Sequence, residues 1–278
     1  MSDSDCNDSC CSISKCDIFD FMAKHVGLTV IHPGGLKATH QLTTFLNINR
    51  DTKVIDIACG KGTTAFYLAE KYDCNVIGID ISEELIEEAK CLKKKKGLDK
   101  KVIFEIGDAM QLPFGDNEFD VAISQAMLIL VEDKIATIKE TNRVIKNGGR
   151  AGWLELSWRE KINQDFLEKV SKVLCAYCMT NVNTYDEWEE IFKKAGINNI
   201  SVIKGDNFRG SYIERLRDEG FVNTFKIIYN TMKNKEIRQR MNVMNKFFKE
   251  HEEYFGYGIY YYQKGSATPT QDATLTAE

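Results

Sequence analysis

Apolar segments with the length of β-strands alternate with helical patterns through the middle of this 278-residue chain. The strand-like segments cover residues 53–57, 75–79, 102–106, 119–124 and 151–156, and the helical patterns cover residues 63–71, 82–95 and 134–144. Strands that alternate with helices form crossover units, which build a parallel sheet. Apolar runs such as VIDIA and NVIGI indicate strands that are covered on both faces. The alternation therefore predicts a Rossmann-like α/β fold, with helices on both faces of a mostly parallel sheet.

The second half of the chain is less regular. NQDFLEKVSKVLCAYC predicts one helix, and TYDEWEEIFKKAG predicts another, with a Thr184–Glu187 capping box at its start and Gly196 at its end. NISVIKG predicts a sixth strand and YGIYYYQKG, residues 257–265, predicts the last one. Between these two strands the pattern favours two or three helices.

These patterns divide the chain into five segments. They are a mobile cysteine-rich arm at residues 1–16, a core with N-terminal cap helices at 17–205, a helical insertion at 206–255, the last core strand at 256–265 and a disordered tail at 266–278.

Charge and composition exclude several classes of protein. The net charge of −4 and the pI of about 5.7 argue against a nucleic-acid binder. The basic run at residues 93–101 is typical of a solvated helix end, where cations complement the helix dipole. We expect no membrane span, because no apolar run is long enough. The polar, acidic N-terminus is unlike a signal peptide, so we expect a cytoplasmic protein with reduced cysteines.

The stretch VIDIACGKGTTAFYLAEKY, residues 54–72, joins the first strand to the first helix through a glycine-rich turn. Gly60 and Gly62 fit the spacing of a dinucleotide-binding fingerprint, although an ordinary strand-to-helix turn can look the same. Asp80 ends the second strand, 20 residues after Gly60, where a carboxylate can accept both hydroxyl groups of a ribose. Asp56, inside the turn, would repel a pyrophosphate but attract a cationic amino acid. The pattern therefore favours a nucleoside ligand that also carries a positive charge.

Four motifs occur in the order of a known family: VIDIACGKGTTAFYLA, VIGIDIS, GDAMQLPFGDNEFDVAIS and RVIKNGG. Over about 110 residues the chain resembles the class I S-adenosylmethionine-dependent methyltransferases, and it is most similar to their ubiquinone- and menaquinone-type small-molecule branch. The resemblance implies a seven-stranded sheet with an antiparallel last strand, and S-adenosyl-L-methionine as the cofactor.

The resemblance also implies a role for each residue that matches a motif. Gly60 and Gly62 would lie against the methionine part of the cofactor, and Asp56 would face its ammonium group. Asp80 would hold the ribose. The adenine would meet Ile81, Asp108 and Ala109, and Gln125 would line the pocket near the sulfonium.

The sulfonium is already an electrophile, so a general base is needed only if the acceptor carries a proton. Candidate catalytic residues are His32, Gln125, Cys16 and Cys178. His32 opens the HPGG turn, whose amides could touch the cofactor or the substrate. We expect His25 and His40 to pack against helices or lie at the surface.

The acceptor pocket would lie opposite the cofactor. Trp158, Tyr177 and Tyr185 would form its far wall, and the helical insertion at residues 206–255 would cap the substrate.

Nine cysteines occur in the chain, and six of them form two groups. Cys6, Cys10, Cys11 and Cys16 lie on the arm, and Cys175 and Cys178 lie on one face of a predicted helix. Their spacing is not that of a zinc finger, so we predict no bound metal. The positions give a weaker resemblance to arsenite methyltransferases, which also have a thiol before the first strand and another after the fifth.

The sequence therefore predicts an enzyme that transfers a methyl group from S-adenosylmethionine to a small molecule. A thiol-bound metalloid or a protein side chain is the alternative acceptor, and a non-catalytic cofactor-binding protein is the alternative function. Asp56 argues against a nucleotide-dependent oxidoreductase. The oligomeric state and the acceptor atom stay open.

Overall fold

A computed structural model describes residues 17–206 and 212–266. The described chain divides into two compact units. The sheet unit comprises residues 32–160, 182–206 and 255–266, and the helical unit comprises residues 17–31, 161–181 and 212–254.

The sheet contains seven principal strands and one strand of two residues. In chain order the strands are β1 (Lys53–Ile57), β2 (Asn75–Asp80), β3 (Val102–Ile106), β4 (Phe119–Gln125), β5 (Ile145–Trp158), β6 (Asn183–Thr184), β7 (Ser201–Gly205) and β8 (Phe255–Gln263). The helices are α1 (Ile18–Asp20), α2 (Gly35–Thr44), α3 (Thr63–Tyr72), α4 (Glu83–Lys96), α5 (Lys134–Val144), α6 (Gln164–Leu174), α7 (Tyr185–Lys194), α8 (Tyr212–Lys233) and α9 (Lys235–Glu250).

The spatial order of the strands is β3-β2-β1-β4-β5-β8-β7, and β6 extends the sheet beside the end of β5. The last strand, β8, runs antiparallel to both of its neighbours, while β1 to β5 are parallel. This arrangement confirms the predicted Rossmann-like fold, with helices α8 and α9 inserted between the last two strands. The sequence pattern does not predict β6.

The register of the parallel strands places their carboxyl ends at one edge of the sheet. Ile57 pairs with Ile79 on one side and with Ser124 on the other. Asp80 pairs with Ile106. Successive residues of β1, β2 and β4 are buried, so both faces of these central strands are covered, as the continuous apolar strands predict.

The helical unit has its own buried contacts. Helix α1 continues into a π-helix, Phe21–Val26. The Arg240 guanidinium of α9 lies 4.1 Å over the Phe21 ring and donates to the Leu174 carbonyl oxygen at the end of α6. Phe166 of α6 stacks on Phe247 of α9, with ring centroids 6.2 Å apart. The predicted insertion therefore packs against residues from two other parts of the sequence.

The helix predicted over residues 163–178 is wrong at its C-terminal end. Helix α6 ends at Leu174, because Cys175 adopts a left-handed conformation with φ 49°, and a 3₁₀ helix follows at Tyr177–Asn181. Cys175 and Cys178 therefore do not share one face of a helix.

The capping box of α7 is confirmed. The Glu187 amide donates to Thr184 Oγ1 over 3.3 Å, and the Thr184 amide donates to Glu187 Oε2 over 2.8 Å. Cys6, Cys10, Cys11 and Cys16 lie outside the described residues, as does the tail from residue 267. Within residues 17–206 and 212–266, no helix is long and apolar enough to cross a membrane.

Candidate active site

The residues predicted to bind the cofactor lie at the ends of neighbouring strands within the sheet unit. Asp56 is the penultimate residue of β1, and Asp80 and Gln125 are the last residues of β2 and β4. Asp108 follows β3 by two residues. Ligands of open α/β sheets bind at this edge, outside the carboxyl ends of the strands.

The turn after β1 has a backbone that few residue types can adopt. Ala58, Gly60 and Gly62 have φ angles of 59°, 53° and 81°. A Cβ atom at Gly60 would have no neighbour within 4 Å, whereas one at Gly62 would lie 2.3 Å from the Phe104 ring. Gly60 therefore leaves the backbone open to a ligand, and Gly62 makes room for a core side chain.

Asp80 is buried and fixed by two backbone amides. Its Oδ2 accepts from Gly60 N over 2.8 Å, and its Oδ1 accepts from Ser82 N over 2.9 Å. Each carboxylate oxygen has a second lone pair, so Asp80 can still accept hydrogen bonds from hydroxyl groups. The adjacent Ile81 side chain is 73% exposed, which is unusual for an isoleucine next to a buried strand.

Asp56 is a buried acid with an unsatisfied oxygen. Its carboxylate receives a hydrogen bond from the Ala65 amide of α3. Its Oδ2 atom has no hydrogen-bond partner within the described part of the chain. Burial, together with the charge of Asp80, raises the pKa of Asp56 to about 8. A cation beside this oxygen would remove the cost of ionising a buried acid.

Burial raises the pKa of the neighbouring Cys59 thiol far above its usual range. Cys59 is therefore an unreactive packing residue, as its small size predicts.

A chain of hydrogen bonds links Gln125 to His32. The Gln125 amide nitrogen donates to Thr64 Oγ1 over 2.6 Å, and its Oε1 accepts from Thr39 Oγ1 over 2.7 Å. His32 Nε2 lies 3.3 Å from Thr39 Oγ1. Burial lowers the pKa of His32 to about 4, so its ring is neutral at pH 7. Two residues that were separate catalytic candidates thus belong to one network.

Asp108 and Ala109 form a tight turn after β3. Asp108 Oδ1 accepts from Met110 N over 2.8 Å, and Asp108 also forms an isolated bridge with Gln111. This local bond fixes the position of the carboxylate beside the strand end.

Sequence reasoning missed a second buried acid, Glu155 of β5. It is fully buried, and its Oε1 accepts from the amides of Met127 and Leu128, over 3.1 and 3.0 Å. These amides belong to the loop that follows Gln125. Burial raises the pKa of Glu155 to about 8, and Oε2 has no hydrogen-bond partner among the described residues. The signal that was available is an acid inside the apolar strand AGWLEL.

The structure gives less support to the roles predicted for the remaining site residues. Trp158 and Tyr185 are buried in the sheet unit, and their place in the wall of the acceptor pocket stays a prediction. Tyr177 is exposed, in the helical unit. Burial, reinforced by Asp17, raises the pKa of Cys178 to about 12, which keeps it a thiol. Cys16 lies outside the described residues, and those residues contain no group of three His, Cys, Asp or Glu side chains placed to hold a metal.

A family model described as a methyltransferase domain matches residues 48–196, which include the glycine turn, both strand-end acids and Asp108. The chain belongs to this family, and it is a class I S-adenosylmethionine-dependent methyltransferase.

Two relatives and one solved structure illustrate the similarity. A Haemophilus influenzae protein described as uncharacterized is 34% identical over 239 residues, which are 84% of this chain and 92% of that protein. Phosphoethanolamine N-methyltransferase 1 of Arabidopsis thaliana is 29% identical over 195 residues, 70% of this chain but only 34% of that protein. The Haemonchus contortus phosphoethanolamine N-methyltransferase 2 structure has a TM-score of 0.71 at 20% identity, covering 90% of this chain and 57% of that one. At that identity the structure shows a shared fold.

Proposed function

We propose that this enzyme transfers the methyl group of S-adenosylmethionine to a small-molecule acceptor, and that the cofactor binds at the strand ends of the sheet unit. One observation carries the proposal: a buried carboxylate oxygen of Asp56 has no partner in the described chain, and the open backbone of Gly60 follows four residues later in the same strand-to-helix connection. A cationic amino acid group satisfies both features, since it pairs with the acid and fits against the glycine.

The other residues fit the remaining parts of the cofactor. Asp80 accepts the two ribose hydroxyl groups, while Gly60 N and Ser82 N hold its carboxylate in place. Ile81 offers an exposed apolar surface to the adenine ring. Asp108 and Ala109 meet the polar edge of the adenine. Gly60 and Gly62 lie against the methionine part, and the missing Cβ of Gly62 also leaves room for Phe104.

The chain's own contribution to the reaction is alignment. The bound cofactor supplies an activated methyl group, so the protein must orient the acceptor and exclude water. Thr39 and Thr64 hold both ends of the Gln125 amide, which fixes this side chain at the end of β4. His32 stays the candidate base for an acceptor that carries a proton, and its pKa of about 4 makes it a weak base at pH 7.

The proposal also includes the chemical class of the methyl acceptor. Names of the relatives include phosphoethanolamine N-methyltransferases, which favours a small polar acceptor. The ubiquinone- and menaquinone-type branch and the substrate cap at residues 206–255 stay predictions. A thiol-bound metalloid would depend on the arm cysteines and on Cys178, whose pKa of about 12 disfavours the thiolate.

The cofactor proposal is tested by calorimetry. Wild type should bind S-adenosylmethionine and its demethylated product but not NAD, and Asp80→Ala should weaken that binding more than tenfold. Each charge-assisted ribose hydrogen bond is worth about 1.5–3 kcal/mol. Asp108→Ala is a matched substitution that should cost less affinity, because it faces only the adenine edge. Binding of NAD by wild type would refute the proposed site. An Asp80→Ala variant that binds S-adenosylmethionine with wild-type affinity would refute it as well.

The acceptor is tested separately with radiolabelled cofactor and a panel of phosphoethanolamine and other amines, quinols, thiols, arsenite and protein extract. Label in a small organic product supports the proposal. Label only in methylated arsenic or in protein, or no turnover with any acceptor despite tight cofactor binding, would favour one of the alternative functions.

A further inference from the structure

Helix α8 turns its polar face towards the helical unit. The helix is interrupted at Gly220, which has φ 70° and ψ 167°, and residues 221–233 continue as one helical segment after it. Asn223 Nδ2 donates to the Gly27 carbonyl over 2.9 Å, and Asn230 Nδ2 donates to the Val26 carbonyl over 3.3 Å. Just before the break, Glu219 Oε1 accepts from Thr29 N over 2.9 Å. These bonds fix the rotation of the helix about its axis.

The apolar face of the same segment points to solvent. All of the segment's large apolar side chains except the half-buried Ile227 are between 39% and 88% exposed: Phe221, Val222, Phe225, Ile228, Tyr229 and Met232. The spacing of three and four residues puts most of them on one stripe, about 17 Å long at 1.5 Å per residue. A surface helix ordinarily buries its apolar stripe, so this orientation is inverted. A contiguous exposed patch of this kind marks an interaction site.

The charged side chains within the segment have one sign. Residues 221–233 contain Lys226 and Lys233, both exposed, and no Asp or Glu, while Glu219 and Glu236 lie just outside the segment. The Lys233 ammonium lies 5.3 Å from the Tyr229 ring centroid, at the margin of the stripe. This local excess of positive charge occurs in a protein with a net charge of −4. An apolar stripe with lysines at its margins is typical of helices that lie in a membrane interface.

We propose that residues 221–233 bind the surface of an anionic lipid bilayer. The helix lies parallel to the membrane plane, with the apolar stripe between the acyl chains and the lysines against the lipid headgroups. A second copy of the chain is a less suitable occupant, because it would bring the lysines of two stripes together. This binding does not depend on the methyl-transfer proposal.

The test is sedimentation of the full-length protein with vesicles. Wild type should bind vesicles that contain phosphatidylglycerol at least about tenfold more tightly than vesicles of phosphatidylcholine alone. Phe225→Glu combined with Met232→Glu should abolish the binding. Val243→Glu is the matched control, since Val243 is a 52% exposed apolar residue of α9 outside the stripe, and it should bind like wild type.

A second variant makes the test independent of the apolar face. Lys226→Gln combined with Lys233→Gln should lose the preference for anionic vesicles without changing the thermal unfolding midpoint. The proposal is overturned if wild type does not bind either vesicle, or if the Glu variant binds as well as wild type. It is also overturned if ultracentrifugation shows a wild-type dimer that the Glu variant converts to monomer, since the stripe would then be a self-association surface.

Discussion

At the scale of single residues, the cofactor proposal depends on two acids and two glycines within one sharp turn and the strand beside it. Asp56 and Asp80 have different surroundings although both are buried. Two backbone amides hold the Asp80 carboxylate, whereas one Asp56 oxygen has no such donor in the described chain. The surroundings of Asp80 therefore favour hydrogen bonds from neutral hydroxyl groups, and those of Asp56 favour pairing with a cation.

Asp56 gives a pH prediction. With a pKa of about 8 in the free protein, its carboxyl is protonated at pH 7, and pairing with an ammonium group favours the ionised form. Binding should therefore release a proton below pH 8. As the pH increases towards 8, affinity for S-adenosylhomocysteine should rise by up to about tenfold per pH unit. Calorimetry in buffers of different ionisation enthalpy measures this release.

The control for this experiment is Glu155→Gln, which removes another buried acid with a pKa of about 8. That variant should release the proton as wild type does, and Asp56→Asn should not. Equal proton release in wild type and Asp56→Asn would contradict the role given to Asp56.

The two glycines give a paired prediction. Alanine at either position carries the strain of a left-handed backbone, about 1–2 kcal/mol. Gly62→Ala should lose about 1–3 kcal/mol more stability, because its Cβ would meet the Phe104 ring at 2.3 Å. Gly60→Ala should lose only the backbone strain energy in stability but bind the cofactor at least about tenfold more weakly. Urea unfolding and calorimetry measure the two effects, and normal binding by Gly60→Ala would contradict the proposed contact.

At the scale of elements, the loop after β4 is held by a side chain from β5. The Ala126 amide donates to the Leu154 carbonyl, and Glu155 Oε1 accepts from the next two amides. Ala126 has a φ of 55°, so the loop adopts a conformation that its sequence does not favour. The buried acid offsets that strain and sets the direction in which the chain leaves Gln125.

Removal of the acid should loosen this loop. Glu155→Ala leaves two buried amides without an acceptor, at about 1–3 kcal/mol each, whereas Glu155→Gln retains an acceptor oxygen. We expect hydrogen exchange at Met127 and Leu128 to accelerate in the alanine variant and to stay close to wild type in the glutamine variant. Unchanged exchange in Glu155→Ala would exclude a positioning role.

Wild type and Glu155→Gln should also differ in how their stability depends on pH. The folded pKa of Glu155, about 8, lies above its unfolded value of 4.5. Folding therefore favours the protonated acid, and this stabilising contribution is lost as pH rises from 4.5 through 8. Glu155→Gln does not titrate, so it should gain stability relative to wild type over that range in urea unfolding.

At the scale of the whole molecule, the cofactor residues and the helical unit belong to different compact units. Each unit has its own buried side chains, such as Phe104 in the sheet unit and Phe247 in the helical unit. Damage to the helical core can therefore be separated from loss of the cofactor site.

Phe247→Ala tests this separation. The side chain is 4% exposed and contacts Phe166 and His251, so its removal should cost about 3–5 kcal/mol within the helical unit. Affinity for S-adenosylhomocysteine should stay within about threefold of wild type, while turnover falls, in keeping with the predicted substrate cap. Val243→Ala, at an exposed position of the same helix, is the control. A parallel loss of affinity and turnover would argue against a cap that acts on the acceptor alone.

Local signals in the sequence determined the seven principal strands, most helix boundaries, the Thr184–Glu187 capping box and the positions of the strand-end acids. These features depend on residues close together in the chain: apolar periodicity, glycine conformation and side-chain bonds over three residues. Because parallel strands end at one edge, the motif order alone also placed Asp56, Asp80 and Gln125 together.

Only the tertiary structure decided what those residues meet. The bond between Thr39 and Gln125 joins residues 86 positions apart, and Glu155 reaches amides 28 and 27 positions away. The inverted face of α8 depends on carbonyl groups about 200 residues earlier in the chain. Apolar periodicity shows that a helix has two faces, but which face is buried depends on hydrogen-bond partners that only the folded chain brings within reach.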